Sequence, residues 1–140
     1  MTILLDTNVI SETTRKAPNA NVLGFLAGLD RAFVSVLTLH ELHFGICRLP
    51  LGQRRTDLAT SVDRFLAAFG EVVVDLDRTL ARRAGELRAT AQAQGRVLHL
   101  ADALIAATAL ERGLRLATRN VSDFAGLGLA IVDPWQPPNP

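Results

Sequence analysis

Short apolar runs alternate with helical patterns from one end of the chain to the other. Strands that alternate with helices in this way are typical of an α/β domain with a mainly parallel sheet. The five predicted strands cover residues 2–5, 33–36, 72–76, 114–118 and 130–132. The pattern therefore predicts one α/β domain with a five-stranded sheet.

Apolar residues at helical spacing fill the intervals between these strands. The predicted helices cover residues 21–29, 39–49, 58–69, 80–91 and 100–112. Pro50-Leu51-Gly52 separates the second helix from the third, which predicts an α-hairpin. Asp77 is the predicted N-cap of the fourth helix, and Gly95 and Gly113 are predicted to end the last two. We expect the domain to span residues 1–134, followed by an extended proline-rich tail over residues 135–140.

Composition narrows the class of protein. The 140 residues are 49% hydrophobic and 21% charged, which predicts a folded core and excludes a disordered chain. Cys47 is the only cysteine, so no intramolecular disulfide is expected. Residues 1–6 do not resemble an export signal, and no apolar run approaches the ~20 residues of a membrane span. We therefore expect a cytoplasmic protein with no membrane segment.

Acidic residues follow the predicted strands at informative positions. Asp6 ends the first strand, Glu41 lies one turn into the helix after the second, and Asp123 follows the fourth by a few residues. Asp102 lies in the first turn of the apolar helix that begins near Leu100. Parallel sheets bind ligands beyond the carboxyl ends of their strands. The sequence thus predicts that these acids meet at one edge of the sheet.

Each acid also has a purely structural interpretation. Asp6 could cap the turn after its strand, and Thr38 with Glu41 fits a capping box. Asp102 would gain about 0.3–1 kcal/mol from the helix dipole. Asp123 could cap a short helical turn. Taken singly, none of these residues indicates catalysis.

Taken together, the four acids predict a bound cation. Two unit charges about 4 Å apart repel by about 4 kcal/mol at an effective dielectric near 20, so something positive must offset the cluster. An all-oxygen ligand set favours a hard divalent cation, Mg²⁺ in particular. A metal that activates water and neutralises phosphate charge would catalyse phosphodiester hydrolysis.

Four segments of the chain resemble, in order, the motifs of PIN-domain ribonucleases of the VapC/FitB toxin type. They are LLDTNVISE at residues 4–12, VSVLTLHELHFG at 34–45, ADALIAA at 101–107 and LATRNVSDF at 116–124. The resemblance spans residues 1 to about 134, and all the acidic positions match. It implies a three-layer PIN-like fold with a protruding α-hairpin.

The resemblance implies an endoribonuclease that binds Mg²⁺ or Mn²⁺. Asp6 and Asp102 would be the firmest metal ligands, Glu41 would orient or deprotonate water, and Asp123 would favour a second ion. Side chains expected to hydrogen-bond these carboxylates are those of Thr7, Thr118 and Asn120.

The resemblance also implies partners. A small antitoxin would cover the acidic groove with its C-terminal segment, and operator DNA would be reached only through that antitoxin. A homodimer is expected, with the α-hairpin contributing to its contacts. Two alternatives stay open: a non-catalytic protein that uses the same groove to bind an antitoxin, and a housekeeping RNA-processing nuclease.

The basic residues are nearly all arginine, and only Lys16 is lysine. The net charge is +1, but removing the four clustered acids from the count leaves the rest of the chain at +5. Arg15-Lys16, Arg54-Arg55 and Arg82-Arg83 are candidate contacts to an RNA backbone, with solvated helix faces as the alternative.

Two further sequence features give weaker evidence about function. His40 and His43 are three residues apart, so with Glu41 they do not form the zinc-protease motif, which needs a spacing of four. Cys47 is expected in the core or at the hairpin interface.

Overall fold

A central parallel sheet organises the chain, which the computed structural model describes over residues 2–69 and 72–139. Its strands are β1 Ile3–Leu5, β2 Phe33–Ser35, β3 Val73–Val74, β4 Arg115–Ala117 and β5 Ile131–Val132. All neighbouring strands pair in parallel, in the order β3-β2-β1-β4-β5. The predicted α/β fold with a five-stranded parallel sheet is confirmed, and β1 lies at the centre of the sheet.

In the part of the chain that the structure describes, six helices cover the two faces of the sheet. They are α1 Thr7–Thr13, α2 Ala20–Ala27, α3 Val36–Cys47, α4 Gln53–Phe69, α5 Arg78–Ala93 and α6 Leu100–Arg112, with a 3-10 turn at Val121–Phe124. The helical spacing in the sequence predicts α2 to α6. It does not predict α1, a short helix whose residues are mostly polar or β-branched and therefore poor helix formers.

The side chains of β1 divide the core into two layers. Successive residues of a strand point to opposite faces of the sheet. Leu4 accordingly packs with residues of α5 and α6, whereas Ile3 and Leu5 pack with residues of α1 to α4. All three side chains are fully buried, which gives the three-layer arrangement of helices, sheet and helices.

The ends of the helices test the predicted caps. Asp77 caps α5 as predicted, because its Oδ1 accepts a 2.9 Å hydrogen bond from the Leu80 N–H. Gly113 ends α6 with a φ of 64°, in the left-handed region that favours glycine. The capping box of Thr38 and Glu41 is wrong, since α3 begins earlier, at Val36. Ser35 caps that helix by accepting a hydrogen bond from the Leu37 N–H.

Two local predictions are corrected by the structure. Cys47 is exposed, because the buried face of α3 is formed by Thr38, Leu42 and Ile46, and Cys47 lies about 100° around the helix from Ile46. The tail begins with a turn at residues 134–135, and Trp135 packs against the core layer that contains Leu5. Residue 140 of the predicted tail lies outside the described residues. In the described part of the chain, no helix has the length and apolarity needed to cross a membrane.

Candidate active site

Asp6 occupies the carboxyl end of the central strand and the N-cap of α1. Its Oδ1 accepts a 2.8 Å hydrogen bond from the Thr7 N–H, and its Oδ2 accepts one of 2.8 Å from the Thr118 hydroxyl. Burial raises the pKa of this carboxyl, the two hydrogen bonds lower it, and the charge of Asp123 raises it; the net effect is an increase above 3.8. Asp6 therefore caps α1, and its ionised form is less favourable than that of an ordinary aspartate.

Glu41 and Asp102 share the electrostatic environment of Asp6. Burial raises the pKa of both carboxyls above their ordinary values, and the negative charge of Asp6 raises them further. The charge of Asp102 also acts on Glu41, and that of Asp123 acts on Asp102. His40 and His99 partly oppose these increases in the pKa values of Glu41 and Asp102 respectively. Negative charges from separate segments thus act on the carboxyls of Asp6, Glu41 and Asp102.

The chemistry of these oxygens, which are all carboxylate oxygens, suits a metal ion that keeps some of its water. Within residues 2–69 and 72–139, no group of three or more His, Cys, Asp or Glu side chains is arranged to hold an ion directly. Magnesium does not require such a cage, since it is usually bound through one or two carboxylates and retains several waters. The donors are carboxylate oxygens, which hard divalent cations prefer. The donors present therefore suit a hard divalent cation.

Thr118 connects the two central strands of the site. This fully buried residue follows β4 directly, and its hydroxyl donates to Asp6 while it accepts a 3.1 Å hydrogen bond from the Asn120 N–H. Asn120 therefore contributes through its backbone, and its side chain is exposed. Asn8 was missed as a site residue, although its amide is 3.4 Å from both Asp6 Oδ2 and Thr118 Oγ1. Its place two residues after Asp6, in the first motif, was the available signal.

Thr7 connects Asp6 to Glu41. Its N–H is bonded to Asp6, and a hydrogen bond from its side chain lowers the pKa of Glu41, partly opposing the effect of burial. The Thr7 and Thr38 hydroxyl oxygens are 3.2 Å apart. Because each hydroxyl has one hydrogen, Thr7 is free to donate to Glu41 when Thr38 donates to Thr7. The threonines thus orient the carboxylate on α3.

Sequence reasoning missed one buried carboxylate, that of Glu12, on the helix that Asp6 caps. Glu12 on α1 is only 4% exposed and accepts hydrogen bonds from Arg15 and from the Asn19 N–H. Burial raises the pKa of Glu12, but the hydrogen bonds from Asn19, Arg15 and the Trp135 side chain and the charge of Arg15 bring it below its ordinary value. The Arg119 guanidinium lies 5.2 Å from the centre of a Trp135 ring. Trp135 therefore contacts both Glu12 and the residue that follows Thr118.

The raised pKa values predict how stability depends on pH. Folded Asp6, Glu41 and Asp102 bind protons at higher pH than the unfolded chain, where their pKa values are near 3.8 and 4.5. In excess chelator, lowering the pH from about 7.5 towards 5 should therefore raise the melting temperature through this group. Circular dichroism would measure it. The Asp6→Asn/Asp102→Asn double variant should show a smaller rise, and identical slopes would contradict the prediction.

Comparisons with known proteins agree with this fold and site. Residues 3–126 match the PIN domain family. A relative from Sinorhizobium fredii, VapC ribonuclease Y4jK, is 38% identical over 96% of this chain and 99% of its own length. Toxin FitB from Neisseria gonorrhoeae is 34% identical over 95% of this chain and 98% of its own. A solved structure of FitAB bound to the IR36 DNA fragment superposes with a TM-score of 0.89 at 31% identity, covering 98% of each chain.

Fold, carboxylates and relatives define the class of protein: a nuclease, which hydrolyses phosphodiester bonds. The chain belongs to the PIN-domain family, in the group of VapC and FitB toxins.

Proposed function

We propose that this chain is a Mg²⁺- or Mn²⁺-dependent endoribonuclease that serves as the toxin of a toxin–antitoxin pair. The observation that carries the proposal is the cluster of Asp6, Glu41 and Asp102. Burial raises the pKa of each of these carboxyls, and so does a neighbouring negative charge: that of Asp123 for Asp6, and that of Asp6 for Glu41 and Asp102. Such a cluster is unfavourable unless a cation offsets it, and the ribonuclease name of a relative supports RNA as the substrate.

The residues of the cluster would have different roles in the reaction. Asp6 and Asp102 would hold the ion, and Asp123 would add a carboxylate at the same edge. When bound, a divalent cation makes a water molecule more acidic and neutralises charge on phosphate oxygens. Glu41 would accept the proton of the attacking water, because its raised pKa makes it a stronger base than an ordinary glutamate. Thr118 and Thr7 would hold Asp6 and Glu41 in position, and Asn120 would support Thr118.

The partners follow from the same assignment. A small antitoxin would cover the acidic groove, and operator DNA would be bound through that antitoxin. The name of the toxin relative and the DNA-bound FitAB structure support this part of the proposal. The proposal also includes a homodimer, with the hairpin of α3 and α4 contributing to the contacts between the two subunits.

Removal of the metal tests the proposed chemistry. We expect excess chelator to abolish RNA cleavage by the purified chain and added Mg²⁺ or Mn²⁺ to restore it, because the ion would lower the pKa of the water that attacks the phosphodiester. Cleavage of a labelled RNA, followed on a denaturing gel with a heat-denatured sample as control, would measure this. Full activity in chelator would reject a metal-dependent mechanism.

A further inference from the structure

An open groove with an uneven charge leads to the carboxylate cluster. It has a volume of about 890 Å³ and lies between the end of α1, α3 and α4. Glu41, a member of the cluster, lines it. Its other charged lining residues are Arg15, Lys16, Arg48, Arg54 and Asp57. Four cations and two carboxylates therefore share this surface, and one of those carboxylates belongs to the candidate active site.

Three of the groove cations are unneutralised. Lys16, Arg48 and Arg54 form no ion pair with any residue in the described ranges 2–69 and 72–139. Arg15 is bonded to Glu12, but its side chain is still 64% exposed. Asp57, the other acid, already accepts a 2.6 Å hydrogen bond from Gln53. The groove thus presents three cations that no carboxylate in the described ranges pairs with.

In the opposite helical layer, formed by α5 and α6, two arginines do form ion pairs. Arg83 on α5 lies 3.3 Å from Glu86 and 3.6 Å from Glu111, and Arg112 on α6 lies 3.6 Å from Asp77. Arg82-Arg83 is one of the basic pairs considered from sequence, and its second arginine is neutralised by neighbours. The structure thereby separates the groove residues Lys16, Arg48 and Arg54 from Arg83 of the α5 pair.

We propose that the groove between α1, α3 and α4 is the path of the RNA backbone, with Lys16, Arg48 and Arg54 binding phosphates and Glu41 marking the end nearest the reaction. This inference rests on the proposed ribonuclease function and adds the residues that hold the substrate. Unpaired guanidinium groups bind phosphate oxygens two at a time. The charged lining, with no aromatic residue among the lining side chains, indicates binding through phosphates and not through stacked bases.

Binding to a labelled single-stranded RNA tests this path. We compare Arg48→Ala/Arg54→Ala with the control Arg78→Ala/Arg82→Ala, which removes two exposed arginines of α5. Both are made in the Asp102→Asn chain, and fluorescence anisotropy is measured at several salt concentrations. Loss of two phosphate contacts should weaken binding about tenfold or more and reduce the slope of log K against log salt by about 1.4, since each contact contributes about 0.7. The control should change neither value.

Kinetics of the otherwise unaltered enzyme provide a second readout. The groove variant should raise KM for RNA with little change in kcat, because it removes substrate binding and leaves the carboxylates intact. Circular dichroism melting checks that both double variants remain folded.

Three outcomes distinguish the explanations. Equal RNA affinity and salt slope for groove and control variants would overturn the proposed path. Loss of binding to a polyglutamate probe without loss of RNA binding would also overturn it and assign the groove to an acidic protein segment. Failure of the unaltered chain to cleave RNA with Mg²⁺ would instead refute the proposed function, while the anisotropy result would still report on the groove.

Discussion

Asp6→Asn should reduce RNA cleavage at least about a thousandfold while leaving the fold intact. Asparagine has the same shape and still accepts the hydrogen bond from the Thr7 N–H. The Thr118 hydroxyl, which donates to Oδ2 in the native chain, loses this acceptor when an amide nitrogen takes the place of Oδ2. The substitution therefore removes the negative charge and one hydrogen bond at nearly constant shape, and groups that act as a unit in catalysis typically account for losses of this size.

Asp102→Asn should have the same effect on cleavage by a separate route, since it removes an acid supplied by α6 and leaves Asp6 in place. Both substitutions should also raise the melting temperature of the metal-free protein. Burial and neighbouring charge raise the pKa values of Asp6 and Asp102, so their ionised forms destabilise the fold at neutral pH. Loss of activity together with increased stability would be difficult to explain by unfolding.

Asp63→Asn provides the matched control, because Asp63 is an exposed aspartate on α4 outside the carboxylate cluster. Its cleavage rate should equal that of the unaltered chain. Single-turnover assays on one labelled RNA, with melting curves of each variant, would measure both quantities. Wild-type rates for Asp6→Asn and Asp102→Asn would refute the proposed metal-dependent mechanism. A non-catalytic binding protein would remain as the explanation if antitoxin binding persisted.

The predictable part of the site follows from strand direction. Parallel strands end at the same edge, so a chain that places Asp6 directly after β1 and Asp123 shortly after β4 brings both acids to that edge. Glu41 follows β2 by the same reasoning. Asp102 is predictable from its position in the first turn of an apolar helix. An acid in such a helix stands out, because most of the residues that follow it in the helix are buried.

The contacts between distant segments could not be predicted from local patterns. Asn8 and Thr118 are 110 positions apart, and their hydrogen bond depends on the pairing of β1 with β4. Helix α1 is short and polar, and it is stabilised by Asp6 at its N-cap and by burial of Val9 and Ile10, not by helix propensity. Glu12 resembles an ordinary surface residue in sequence, since its hydrogen bond with Trp135 forms only when the tail packs against the core.

Glu12→Ala should reduce the free energy of unfolding by about 3 kcal/mol. The native carboxylate accepts hydrogen bonds from the Asn19 N–H at 2.9 Å and from Arg15 at 3.1 Å, and a further one from the Trp135 side chain. Hydrogen bonds to charged groups contribute about 1.5–3 kcal/mol each, and removal of the acceptor leaves the half-buried Asn19 N–H and the Trp135 side chain without this partner. A loss of this size corresponds to a fall in melting temperature of roughly 10 °C. Chemical denaturation monitored by circular dichroism would measure it.

The pH dependence distinguishes this charge effect from a simple cavity. Hydrogen bonds and Arg15 hold the pKa of Glu12 below 4.5 despite its burial, so its stabilisation is present above that value and is lost as the pH falls through the folded pKa. The difference between native chain and variant should therefore shrink in acid. Glu86→Gln is the control, because Glu86 is exposed and paired only at the surface with Arg83; it should cost less than about 0.5 kcal/mol. A pH-independent difference for Glu12→Ala would mean that packing, not the carboxylate charge, joins α1 to the tail.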